Sequence, residues 1–188
     1  MIYIIILIIL VVFYLISFYN GVKTTKVRIG ASIQEIGNQL KRQTDLIPNL
    51  VSSVKGFLKQ EKSIFENLTE ARKLIESNKL QNLDKSQDLI NKALSSLRIV
   101  VESNPQIQSQ QLVNKLMEEL RDTADKIMYS KRTLIDLTAD YNTKIGTVPG
   151  IWLAGMFNFK PEQGLKANDV TSTLEVNQSD TKTPKIDL

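Results

Sequence analysis

The sequence predicts an all-α protein: an N-terminal transmembrane helix followed by an antiparallel, up-and-down bundle of three or four long helices. Three observations predict it. The first 20 residues are almost wholly apolar. From Val22 onward, apolar residues recur at intervals of three and four, which lines one face of a helix. Glycine and proline, the strongest helix breakers, number only 8 and 5 among 188 residues, and no stretch alternates as a strand does.

The opening run, "MIYIIILIILVVFYLISFYN", is apolar from Ile2 to Tyr19 apart from Ser17 and the tyrosine hydroxyls. A helix of that length spans about 27 Å, close to the thickness of the hydrocarbon core. A cleaved signal peptide would carry a basic n-region and a small-residue cleavage site, and neither is present, so a retained anchor over residues 1–20 is expected. Tyr14, Phe18 and Tyr19 suit the headgroup level. Lys23, Lys26 and Arg28 follow the span and no Lys or Arg precedes it, so the positive-inside rule puts the N-terminus outside and residues 20–188 in the cytoplasm.

Residues 21–160 are expected to form the bundle. An apolar stripe runs from Val22 through Ile29, Ile36 and Leu40 to Ile47, Val54 and Phe57, then through Ile64, Leu68 and Ala71 to Ile75. It crosses Pro48 nearly in phase, since Leu40, Ile47 and Val54 are each seven apart. Two readings stay open there. Thr44 or Asp45 could cap a new helix whose first turn tolerates Pro48. Alternatively the helix continues with a kink, losing one hydrogen bond to the Thr44 carbonyl, and the preserved phase favours this. "SNKLQNLDKSQ" (77–87) reads as a polar connection with Asp84 capping the next helix. "ESNPQ" (102–106) reads as a turn, because a residue before proline is pushed out of the helical region. A further helix runs to about Lys144, and "GTVPG" (146–150) stops it. "IWLAGMFNF" (151–159) either folds against the end of the bundle or dips into lipid headgroups; an even number of bundle helices would return it to the membrane. Residues 161–188 are polar and aperiodic, and are expected to be a disordered tail.

Composition excludes several function classes. With no cysteine there is no disulfide framework or thiolate chemistry, and with no histidine the usual neutral metal ligand and near-neutral acid–base group are missing. The net charge of +4 is modest and interleaved along the chain, unlike a nucleic-acid footprint. No phosphate loop or nucleophile motif occurs. No enzymatic activity, cofactor, metal, nucleic acid or small-molecule substrate is therefore expected.

"LKRQTDLIPNLVSSVKGF" (40–57) resembles the signature of the LemA family. Further matches are spread along the chain on both sides of it: "YN" at Tyr19–Asn20 after the anchor, "EAR" at Glu70–Arg72, "ALSSL" at 93–97, "YNTKI" at 141–145, and "LAGMFNF" at 153–159. The resemblance covers roughly residues 1–160. Departures occur at Ala124, Asp125 and Lys126, where the family usually has Glu-Asn-Arg. They occur also at Leu134 and Ile135, where it usually has Tyr-Asn, and at Asn158, where it has Gly. A polar site shared across the family would be half missing here. The resemblance implies a single-pass membrane protein of bacteria with a cytosolic helical bundle and no established reaction. Some members look linked by gene context to membrane proteases and envelope stress, others to the shaping of magnetosome membranes.

The function expected on these grounds is a non-enzymatic scaffold or adaptor at the inner face of a bacterial cytoplasmic membrane, in envelope or membrane-protein homeostasis. Its partners would be the lipid bilayer and a membrane or cytosolic protein. The alternative is a self-assembling, homo-oligomeric, membrane-shaping protein whose aromatic segment also touches lipid. Lys41, Arg42, Asp45, Pro48 and Asn49 are the interaction candidates, because a kink or cap there presents polar groups in one place. Tyr19, Lys23, Lys26, Arg28, Trp152, Met156, Phe157 and Phe159 are the membrane-interface candidates, with each basic residue near the surface adding about 1 kcal/mol of attraction to anionic lipid.

Overall fold

Helix α1 (Ile2–Val54) runs unbroken through both the apolar span and Pro48. At 1.5 Å per residue its 53 residues reach about 80 Å. The computed structural model describes residues 1–58, 61–77, 79–108 and 110–164. Most of the expected C-terminal tail, residues 165–188, lies outside them. None of the most apolar 18-residue window of α1 is buried, and that part of the helix is long and apolar enough to cross a membrane. Burial starts at Val22 and returns every three or four residues to Val54.

After a 3₁₀ turn (Lys55–Phe57), α2 (Glu61–Glu76) folds back antiparallel to α1: Lys55 meets Glu61 at 3.5 Å and Arg72 meets Asp45 at 3.1 Å. α3 (Leu80–Ser103) turns again and packs mainly on α2. The connection expected over 77–87 therefore ends before Leu80, where α3 begins. Asp84 is not its cap; it lies inside α3 and accepts a 2.7 Å hydrogen bond from Lys131. Helix propagation costs less than ending at a polar residue whose charge already has a partner. Asn104 is extended (φ −128, ψ 93) ahead of Pro105, as the proline ring demands. After one short turn, α4 (Pro105–Gln108), the longest returning helix α5 (Gln111–Gly146) descends along α1.

The four long helices α1, α2, α3 and α5 make the up-and-down bundle. α1 and α5 form its most extensive pair. On α5 the buried residues Val113, Leu120, Ile127, Leu134 and Tyr141 are each seven apart, and on α1 so are Val22, Ile29, Ile36, Gln43 and Leu50. That is the seam of an antiparallel coiled coil. Gln43 sits in it as a buried polar residue and donates to the Leu120 carbonyl at 3.4 Å, which Thr123 also engages at 2.8 Å. α5 outreaches α2, whose last turn (Ile75, Glu76) lies against Gln34, so among the long helices of the described residues α1 and α5 continue below about Gln34 as a two-helix stalk. α6 (Gly150–Met156) closes the stalk at the end nearest the span.

Candidate functional site

Two places gather the polar and aromatic residues that the packing alone does not explain. The first is the Pro48 turn. Proline lacks the N–H that would bond the Thr44 carbonyl four residues back, and a buried carbonyl without a partner is costly. The Arg72 guanidinium fills the gap, donating to the Thr44 carbonyl at 3.0 Å and to Asp45 Oδ1 at 3.1 Å. Neither Thr44 nor Asp45 caps a helix, because none begins there. The Thr44 hydroxyl instead donates to the Lys41 carbonyl at 2.7 Å, and Asp45 anchors a residue of α2. Arg42 is paired with Glu119 of α5 at 3.7 Å. Lys41 and Asn49 are exposed. Lys41 edges a groove of about 330 Å³ lined also by Gln34, Gly37, Asn38, Arg72, Ile75 and Glu76.

The second place is a collar around the last turn of the span, about 39 Å from Asp45 along α1. α6 and the residues after it pack there. The Phe157 ring meets Tyr19 edge-on with centroids 5.1 Å apart, and Phe159 lies 5.6 Å from Tyr19. Gly150 is pressed so close to the end of α5 that a Cβ would sit 2.0 Å from the Lys144 carbonyl oxygen and 3.2 Å from the Phe18 ring, so no larger residue fits. Asn158 takes the left-handed conformation (φ 55), and asparagine is the side chain that tolerates it best where glycine is absent. That accounts for its standing in the glycine position of the motif.

From Phe159 the chain turns back up the stalk as a short strap. The buried Tyr141 hydroxyl donates to the Lys160 carbonyl at 3.1 Å. Asn142 holds both sides of the Glu162 backbone, donating to its carbonyl and accepting from its N–H, each at 3.0 Å. Lys26 of α1 reaches Glu162 Oε1 at 2.6 Å. Residues 161–164, expected to begin a disordered tail, are thus held against the stalk. The hydrogen bond to Glu162 holds the Lys26 ammonium above its ordinary value of 10.5, against the opposing effect of desolvation. Burial pushes the Tyr141 phenol above its ordinary 10.0.

The expected membrane-interface residues therefore divide. Lys26 is engaged by the strap, while Lys23 and Arg28 are exposed. Tyr19, Phe157 and Phe159 pack on one another, and Trp152 and Met156 point outward, 69% and 61% exposed. The interaction residues near Pro48 and the collar lie at separate heights on α1 and form no common site. Sequence reasoning missed Gly150, Asn142 and Glu162, and gave Arg72 no role. Arg72, Asn142 and Gly150 were present only as motif letters, in "EAR", "YNTKI" and "GTVPG", and Glu162 stood in no motif.

The family model described as LemA family matches residues 32–178, and the chain belongs to that family. The match begins within α1, beyond the span. No curated protein matches the chain.

Proposed function

We propose that this member of the LemA family is a membrane-anchored, non-enzymatic scaffold that holds a rigid helical bundle at a fixed height and orientation over the inner face of the membrane. One observation carries the reading: α1 is a single helix from the span to the far tip, with Pro48 bridged rather than broken. A flexible linker would let the bundle wander; a continuous helix transmits the position of the span to every contact above it. Confinement to the membrane raises the effective concentration of any other membrane-bound partner, so weak contacts at the bundle suffice.

The orientation rests on the exposed cations Lys23 and Arg28 directly after the span. The absence of histidine and cysteine supports a role without catalysis. Around Pro48, Arg42 and Asp45 are occupied by Glu119 and Arg72, so Lys41 and Asn49 are the residues offered to a protein partner.

The native chain has no cysteine, which makes the test direct. Ser52→Cys, in the full chain, is treated with a membrane-impermeant maleimide in intact and in permeabilised cells. Labelling only after permeabilisation is the expected result. Equal labelling in intact cells would put the bundle outside and defeat the scaffold at the inner face.

A further inference from the structure

α6 is apolar on all sides, yet only one side is covered. Gly150 and Ala154 are buried and Leu153 and Phe157 half-buried on its inner face, while Ile151, Trp152 and Met156 on the outer face are 50%, 69% and 61% exposed. A helix apolar all round belongs in a nonaqueous surrounding. No charged residue occurs between Lys144 and Lys160, so nothing on this segment resists leaving water. Exposed apolar residues adjoining one another are the mark of a surface with an occupant.

The position of α6 identifies the occupant. The segment rests on Phe18 and Tyr19, the last two residues of the apolar span, through Gly150 and Phe157. Within residues 1–16 only Leu15 loses exposure, which marks the level at which the fold first touches the span. Eighteen residues of helix fill about 27 Å of a hydrocarbon core about 30 Å thick. Whatever touches Phe18 and Tyr19 therefore lies at the boundary between acyl chains and headgroups, where tryptophan is favoured. Lys23 and Lys160, both exposed, flank the segment on its aqueous side, where headgroup phosphates would be met.

We infer that the outer face of α6, formed by Ile151, Trp152 and Met156, seats in the interfacial layer of the lipid bilayer as a second membrane contact beside the span. The proposal rests on the reading of residues 2–19 as a membrane anchor and deepens it. A lone span is free to rotate about its axis and to tilt by about 20°. A second contact on one side of the span fixes both, and α5, joined to α6 through the tight Gly150 turn, carries that constraint to the bundle.

Trp152 is the only tryptophan in the chain, so its fluorescence reports on this face alone. The full-length protein is reconstituted into vesicles of phosphatidylcholine and phosphatidylglycerol that carry a quencher either near the headgroup or deep in the acyl chain. Emission shifted to the blue, with roughly twofold stronger quenching by the shallow label than by the deep one, is the expected result. The double variant Ile151→Asp, Met156→Asp should lose most of that quenching while still floating with the vesicles. Protein that floats but shows no quenching from either depth would overturn the second contact and leave the anchor standing. Blue-shifted, unquenched emission that reverts to the red on dilution in the membrane would assign the face to a second copy of the chain, and overturn it likewise. Failure to float at all would defeat the anchor reading, and this inference with it.

Discussion

The upper and lower halves of the bundle hold together in different ways. Above about Gln34, four helices surround a core in which Leu40, Ile47, Leu50, Leu68, Ile90, Leu97 and Val113 are at most 2% exposed. Below it, among the long helices of the described residues, α1 and α5 pair with each other alone. Two helices bury one stripe each and leave their flanks wet, which is seldom enough for a stable layer. The lower half makes up the difference with polar and aromatic ties: Tyr141 to Lys160, Asn142 to Glu162, Lys26 to Glu162, and the rings of Tyr19, Phe157 and Phe159. The upper half therefore depends on apolar packing and the lower half on a strap only a few residues long.

The largest effect should separate the halves by packing. Leu40→Ala removes a side chain from a site enclosed by four helices and should cost about 3–5 kcal/mol, near the upper end for buried leucine. Ile29→Ala in the stalk, where the residue is 5% exposed and water has access from the flanks, should cost nearer 2 kcal/mol. Denaturant unfolding of the two variants measures both. Equal losses would mean that the stalk is as well packed as the bundle, and the distinction would fail.

How much of this was legible in the sequence follows the same division. The heptad spacing of Leu40, Ile47 and Val54 announced the helix and favoured its continuation past Pro48 over a new start capped by Thr44 or Asp45, because burial of a periodic face is a local pattern. The apolar span was legible because an unbroken apolar run is a local pattern too. The connection over 77–87 was misread because Asp84 looks like a cap when its partner, Lys131, is 47 residues away. The interaction residues suffered similarly: Arg42 and Asp45 read as a presented polar patch, yet each is answered by a charge from another helix. The collar was half legible. Its aromatic content stood out, but which rings turn inward depends on the Gly150 turn, and the strap depends on pairs 19 to 20 residues apart in sequence. Periodicity carries no record of such pairs.

A middle-sized effect tests the bridge over Pro48. Arg72→Ala leaves the Thr44 carbonyl without a donor and should destabilise the protein by about 1–2 kcal/mol. The ion pair with Asp45 adds little, since both side chains are about half exposed. In a Pro48→Ala background a backbone N–H is restored to that carbonyl, so removal of Arg72 should cost less by about 0.5–1 kcal/mol. A double-mutant cycle by thermal unfolding reads the coupling directly. Additive losses would show that Arg72 holds α2 through Asp45 alone.

The smallest effect concerns the strap and is set by pH. The folded protein holds the Lys26 proton above its ordinary 10.5, chiefly through the hydrogen bond to Glu162, and the Tyr141 proton above its ordinary 10.0, chiefly through burial. In both cases the unfolded chain gives up its proton first as pH rises. The folded state then binds more protons than the unfolded one, so stability falls with pH. The contribution is intact below pH 10 and declines from there as each group passes its unfolded value and then its folded one. Other lysines and tyrosines titrate in the same range, so the measurement is a difference between proteins: the melting temperature of the native chain minus that of Glu162→Gln, Tyr141→Phe, followed from pH 8 to pH 11. The gap should narrow above about pH 10, because the variant has already lost the interactions that the native strap is then losing. A gap that stays constant would show that Lys26 and Tyr141 do not hold the strap through these protons, and would leave Asn142 as its principal tie.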